Sequence, residues 1–193
     1  MAIKSLKSGS YGRSVMAGNS LILPGDFESI ATTTVGSGNA ASVTFSSIPQ
    51  TFTHLQLRIL MRGSSGSQNA GFVRFNSDSA NNYVNHQLFG NGSTITSNGG
   101  SSVSGCYIQK IPGSSDAASC FGVAVMDILD YKNTNKYTTT RYLGGDDLNG
   151  AGFAFLGSGL WLNTAAITSI NIVTDGGGDF VQYSHFALYG IRG

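Results

Sequence analysis

From Phe27 onward the chain is a series of short runs of Val, Ile, Leu, Phe and Thr cut by clusters of Gly, Ser, Asn and Asp. No window combines an apolar 3.6-residue period with capping residues, so helices are not expected. The clearest run, His54–Arg62, places Leu55, Leu57, Ile59 and Met61 on one face and Gln56, Arg58 and Arg62, with Leu60, on the other. That is the period-two pattern of a half-buried strand. Further strands are expected at Phe27–Val35, Ser42–Phe45, Phe72–Phe75, Val84–Phe89, Val103–Ile111, Phe121–Ile128, Tyr137–Leu143, Gly152–Leu156, Leu160–Leu162, Ser169–Thr174 and Val181–Ile191. Asn91-Gly92, Asn98-Gly99-Gly100, Asn149-Gly150 and Asp175-Gly176-Gly177-Gly178 supply turn chemistry between them, because Asn, Asp and Gly tolerate positive φ. Many short strands at this spacing define an all-β chain, an antiparallel β-sandwich of jelly-roll type.

The 193 residues suit one domain plus an arm. Charged residues make up 11%, under half of the roughly 25% usual in soluble domains. The net charge of +1 gives no field that would steer the chain to nucleic acid. Lys4, Lys7 and Arg13 are the only charged side chains before Asp26, so a basic segment precedes a mildly acidic body. Lys4–Asn19 has neither strand nor helix period, yet carries Tyr11, Val15 and Met16; residues 1–26 are therefore set apart from the strands that follow. They read as an extended N-terminal arm that docks on a partner through Lys4, Lys7, Tyr11, Arg13, Val15 and Met16, ahead of a sandwich at 27–193. Met1–Asn19 lacks the continuous apolar core of a signal peptide, and no stretch is apolar enough to span a membrane as a helix.

Catalytic patterns are missing from the sequence. There is no G-x-S-x-G elbow, G-x-G-x-x-G turn or phosphate-binding loop. His54, His86 and His185 are far apart and fall in expected strands, where a hydrogen-bonded edge histidine is the ordinary role. Two cysteines are too few for a structural zinc site. If Tyr107–Ile111 and Phe121–Ile128 formed a hairpin about Pro112-Gly113-Ser114, Cys106 and Cys120 would face each other across it; without a secretion signal, reduced thiols are the stronger expectation. Asp146-Asp147 diverge as neighbours on an extended chain, so they do not flank a scissile bond. Asp78 with Asn81-Asn82 lacks the spacing of a calcium loop and reads as an Asx turn. No enzyme activity and no cofactor is expected.

Two groups of residues point to binding. His185–Ile191 is apolar on both faces, with Phe186 and Leu188 on one and Ala187, Tyr189 and Ile191 on the other. A sheet with one wet face alternates apolar with polar, so the second face of this strand calls for a cover, expected to be a second copy of the chain. Tyr131, Tyr137 and Tyr142, with Trp161, offer rings for stacking on glycans, although Trp161 lies among apolar neighbours and reads first as core.

Several segments together resemble virion structural proteins of tailed bacteriophages, especially cyanophages. They are Ile3-Lys4-Ser5-Leu6-Lys7-Ser8-Gly9-Ser10-Tyr11-Gly12-Arg13-Ser14, Glu28-Ser29-Ile30-Ala31-Thr32, Val43-Thr44-Phe45-Ser46-Ser47-Ile48-Pro49 and Thr53-His54-Leu55-Gln56-Leu57-Arg58. Val73-Arg74-Phe75-Asn76, Asn82-Tyr83, Asp130-Tyr131-Lys132-Asn133-Thr134 and Phe186-Ala187-Leu188-Tyr189-Gly190-Ile191 continue the resemblance. It implies a jelly-roll module on the phage head or tail, usually a homotrimer, that works by binding. The expected role is therefore a capsid decoration or cement protein whose arm binds the major capsid protein or another virion protein. The alternatives are a tail, baseplate or fibre appendage, or a carbohydrate-binding module for host glycans. The expected location is the virion, assembled in the host cytoplasm.

Overall fold

A computed structural model describes residues 25–193 throughout, together with the backbone of two short strands, β1 (Val15–Ala17) and β2 (Ser20–Ile22). These two pair antiparallel, where the sequence reading expects no strand. Lys4, Lys7, Tyr11 and Arg13 lie outside the described residues, and Val15 and Met16 fall in β1.

The body is all-β, with no helix among the described residues. Its strands are β3 (Phe27–Thr34), β4 (Ser42–Phe45), β5 (His54–Met61), β6 (Asn69–Phe75), β7 (Tyr83–Gly90) and β8 (Ile95–Val103). They continue as β9 (Cys106–Ile111), β10 (Gly122–Leu129), β11 (Thr138–Asp147), β12 (Gly152–Trp161), β13 (Ile170–Thr174) and β14 (His185–Ile191). Two antiparallel sheets form a β-sandwich, one of eight strands in the order β3-β14-β5-β10-β11-β12-β7-β8 and one of four in the order β4-β13-β6-β9.

Between the sheets lies one core. Leu55, Leu57, Ile59 and Met61 of β5 and Phe186 and Leu188 of β14 enter it from the large sheet, and Val43, Phe45, Val73, Phe75, Ile170 and Ile172 from the small one. The alternation that β5 shows in sequence is its burial pattern in the fold. Fully burying one such side chain is worth about 1.5–3 kcal/mol, so these strands are held chiefly by removal of apolar surface from water.

Turn chemistry places two hairpins as expected. Asn149 and Gly150 have φ of 63° and 110° between β11 and β12, and the Leu148 amide donates to the Ala151 carbonyl at 2.8 Å. Asn91-Gly92 joins β7 to β8, with the Asn91 carboxamide oxygen accepting from the amides of Ser93 and Thr94.

Three expectations are corrected. Asn98-Gly99-Gly100 is not a turn but the middle of β8, a strand the sequence reading missed. Gly157-Ser158-Gly159 does not interrupt β12, which runs unbroken to Trp161. The proposed hairpin about Pro112-Gly113-Ser114 does not form either: β9 pairs with β6 in the small sheet and β10 with β5 and β11 in the large one. The connection between β9 and β10 changes sheets and is fastened by Arg62. That guanidinium donates to the carbonyls of Gly113, Asp116, Ala117 and Cys120. Both cysteines are free.

Candidate binding surface

The outward face of the large sheet is where the expected pattern of polar residues fails. In β10, β11, β12 and β7 the inward residues are buried or half-buried, while Val125, Leu143, Leu156 and Leu88 point to solvent. Strand register makes them one row. Val125 is the cross-strand partner of Leu143, Leu143 of Leu156, and Leu156 of Leu88. Leu143 is 63% exposed and Leu156 50%, so nothing in the described chain covers the row.

One step along the strands is a parallel row of Leu60, Val123, Gly145, Ala154, Gly90 and Ile95. Large side chains stand at its two ends and small ones in the middle, and Ile95 is 78% exposed. The row on the other side is polar: Gln56, Asp127, Arg141, Ser158 and His86. Gln56 donates to Asp127 at 2.8 Å. His86, Arg141, Leu156, Gly157 and Ser158 line a shallow depression where the polar and aliphatic rows meet. Contiguous apolar surface of this kind, rimmed by polar groups, marks interaction sites.

At the β14 end the same face is differently finished. Phe186 and Leu188 are fully buried in the core, so these two are core and not interface residues. Ala187, Tyr189 and Ile191 face outward. Tyr189 stacks on Phe27 with ring centroids 4.7 Å apart, and the Arg58 guanidinium lies over both rings at 5.1 and 5.3 Å. The second apolar face of the last strand thus receives much of its cover from its own sheet.

Two of the three expected glycan-facing rings are also core. Tyr131 is fully buried and its hydroxyl donates to the Pro49 carbonyl. Tyr142 is buried beside Gly157, with its hydroxyl donating to the Gln87 carboxamide oxygen at 3.1 Å; burial pushes its phenol well above the ordinary range. Only Tyr137 is exposed. Tyr142 follows the alternation of β11, whereas Tyr131 lies in the turn after β10, where no alternation marks it as core. Trp161 is core, as read, and its indole N–H donates to Asp78 at 2.8 Å.

The remaining polar residues are engaged structurally. Asp78 accepts from Trp161, Asn82 and the Ala80 amide, an Asx turn; burial raises its pKa, but the three donors outweigh burial and leave it lowered. Asp146 is shifted the other way, raised by burial despite donors from Gln68 and the Phe153 amide. Burial pushes the Cys106 thiol up to about 12, and the Thr140 hydroxyl points at its sulfur at 3.6 Å. A thiol so placed is a small core hydrophobe, not a nucleophile. His54 accepts from the Asp130 amide and His185 hydrogen-bonds Thr34, while His86 lies outward beside Gly99. Among the described residues no group of three or more His, Cys, Asp and Glu side chains could hold a metal ion.

Comparison with known protein families, with curated proteins and with solved structures gives no match for the chain.

Proposed function

We propose that the protein is a structural virion component of a tailed bacteriophage, a capsid decoration or cement protein that works by binding and not by catalysis. One observation carries the reading: the described residues leave open an aliphatic sheet face, not a cleft with convergent polar groups. Val125, Leu143, Leu156 and Leu88 are an association surface in chemical terms.

The winding of the strands supports the jelly-roll part of this reading. Setting aside the pairs β7-β8 and β11-β12, the other eight body strands change sheet at every step along the chain except from β6 to β9, which are neighbours in the small sheet. They leave the orders β3-β14-β5-β10 and β4-β13-β6-β9. These orders fit the double Greek-key winding of a jelly roll, with two hairpins added to one edge. The resemblance of the sequence segments to phage virion proteins supplies the biological setting. In it, residues 1–26 dock on the major capsid protein or another virion protein and the sandwich self-associates.

Labelling the protein in intact particles tests the location. Label over the head is expected; label on the tail would reassign the protein to an appendage, and its absence from purified particles would overturn the reading. Deleting residues 1–18 is expected to leave a folded sandwich that no longer joins particles, and a truncated chain that still joins them would remove the arm from the proposal. On a glycan array no binding is expected, since Tyr131 and Tyr142 are sealed in the core.

A further inference from the structure

We infer that the outward face of β5, β10, β11, β12, β7 and β8 is covered by a second copy of the same chain, packed face to face about a two-fold axis that runs along the strands between β11 and β12. The inference follows from strand register and does not rest on the virion reading.

Such an axis exchanges β11 with β12, β10 with β7 and β5 with β8, because these are equidistant from it in the sheet order. Residues in one cross-strand row then meet residues of the same row on the other copy. In the central row Leu143 falls over Leu156 and Val125 over Leu88, so every aliphatic side chain lands on another. In the next row Leu60 falls over Ile95, and Val123 over Gly90. A large residue is thus opposed to a large one at the rim and to a glycine nearer the axis. In the polar row Asp127 falls over His86, a carboxylate over an imidazole. Three independent rows are each complementary to themselves under one operation, as an isologous interface requires.

Size is adequate. With strands about 4.8 Å apart and rising about 3.3 Å per residue, six strands of eight residues present roughly 750 Å². A standard stable interface buries about 800 Å² on each partner. Sheets stacked in this way cross at about −30°, which tilts the rows against each other without removing the central contacts. Both aliphatic rows are left open by the described chain, whereas the β14 end carries its own Arg58–Phe27–Tyr189 stack.

Sedimentation of the full-length chain tests the pairing. A dimer is expected at micromolar concentration; a monomer, or the trimer that the phage resemblance implies, would overturn the two-fold arrangement. Leu143→Glu places a carboxylate against Leu156 of the other copy and is expected to weaken the dimer at least about 100-fold. It should leave the strand circular-dichroism spectrum intact, because Leu143 points away from the core. An unchanged dimer would sink the proposal.

Register is tested separately by Val125→Cys with Leu88→Cys in one chain, in a Cys120→Ser background. Within a chain the two positions are three strands, about 14 Å, apart, whereas facing positions on stacked sheets are about 10 Å apart, so a short bifunctional thiol reagent bridges copies and not the two positions of one copy. It is expected to cross-link two chains at two points, while either single variant stays uncross-linked. Failure of the double variant to cross-link, or cross-linking of Val125→Cys alone, would overturn the register. Absence of the protein from particles would overturn the virion reading and leave both of these results standing.

Discussion

In β14 and β5 the inward positions hold Phe186, Leu188, Leu55, Leu57, Ile59 and Met61, and the outward ones Gln56, Arg58, Ala187 and Tyr189. In β11, β12 and β7 the inward positions include Thr138, Thr140, Gly157, Gly159 and Asn85, while Leu143, Leu156 and Leu88 point outward. One sheet therefore carries two opposite polarity patterns. The β14 side is held by aliphatic and Phe burial. The hairpin side is held on its inner face by close-fitting rings, glycines and hydrogen-bonded polar groups, and keeps its aliphatic side chains on the surface. Asn85 shows how the second kind is made stable: its carboxamide donates to the Gly105 carbonyl and accepts from the Tyr107 amide, so a buried polar group is satisfied on both sides.

The sharpest way to break this contrast is to cut each half at its own kind of support. Phe186→Ala removes a fully buried ring that packs edge-on against Phe180, with centroids 4.9 Å apart. A loss of about 3–5 kcal/mol is expected in denaturant unfolding. A loss below about 1 kcal/mol would mean that aliphatic and Phe burial is not what holds the β14 side.

Next comes Gly157→Ala, where a Cβ would sit 2.0 Å from a Tyr142 ring carbon, although its backbone imposes no positive φ. The expected cost is about 1–3 kcal/mol from overpacking. The same substitution in a Tyr142→Ala background should cost much less, since the atom it strikes is gone. Equal costs in the two backgrounds would show that the glycine serves the strand and not the ring.

Glycine 157 also shows where the sequence stops being legible. Gly157-Ser158-Gly159 has the composition of a turn, and only Tyr142, Thr140 and Cys106, brought from other strands, explain why β12 needs glycines in mid-strand. Gly99 in β8 is alike, lying against the His86 ring. By contrast β5, β4 and the Asn149-Gly150 turn were readable because their signals are local: alternation within a strand, and φ preference within a dipeptide. Pairing is not local. Tyr107–Ile111 and Phe121–Ile128 look like hairpin partners in sequence and end in different sheets. The candidate surface of Val125, Leu143, Leu156 and Leu88 was not legible in the sequence. Their union into one row depends on the register of four strands, which no single strand encodes. The partial cover over the outer face of β14 was not legible for the same reason, because Phe27 and Arg58 arrive from β3 and β5.

A smaller effect separates the two shifted carboxylates. Asp78 is lowered, so its contribution is present above the ordinary value of 3.8 and is lost as pH falls through its folded value. Asp78→Asn removes a charged acceptor from the Trp161 indole and should cost about 1–2 kcal/mol at pH 7, with a flatter stability profile below pH 3.8. Asp146 is raised, so its sign is reversed: its contribution is greatest below 3.8 and is lost as pH rises through the folded value. Asp146→Asn is therefore expected to be neutral or stabilising at pH 7. A destabilised Asp146→Asn protein, measured by urea titration, would show that Gln68 and the Phe153 amide require the carboxylate.

The smallest expected change bears most directly on what the outward leucines are for. Leu88→Thr, measured at dilutions where copies are separated, should alter stability by no more than about 0.5 kcal/mol, because a surface side chain gives up little on truncation. Threonine also brings the β-branched shape that strands favour. Leu57→Thr, an inward leucine on β5 with no exposed surface, should cost several times more, since it opens a cavity and buries a hydroxyl. If Leu88→Thr were instead as costly as a core leucine in the separated chain, the outward row would already be covered by another part of the same molecule. The two polarity patterns of the large sheet would then be one pattern, with a third layer over its hairpin side, and no surface would be left for a second copy. Near-neutrality at dilution, combined with a loss of association at higher concentration, is the outcome that keeps the face a surface between molecules.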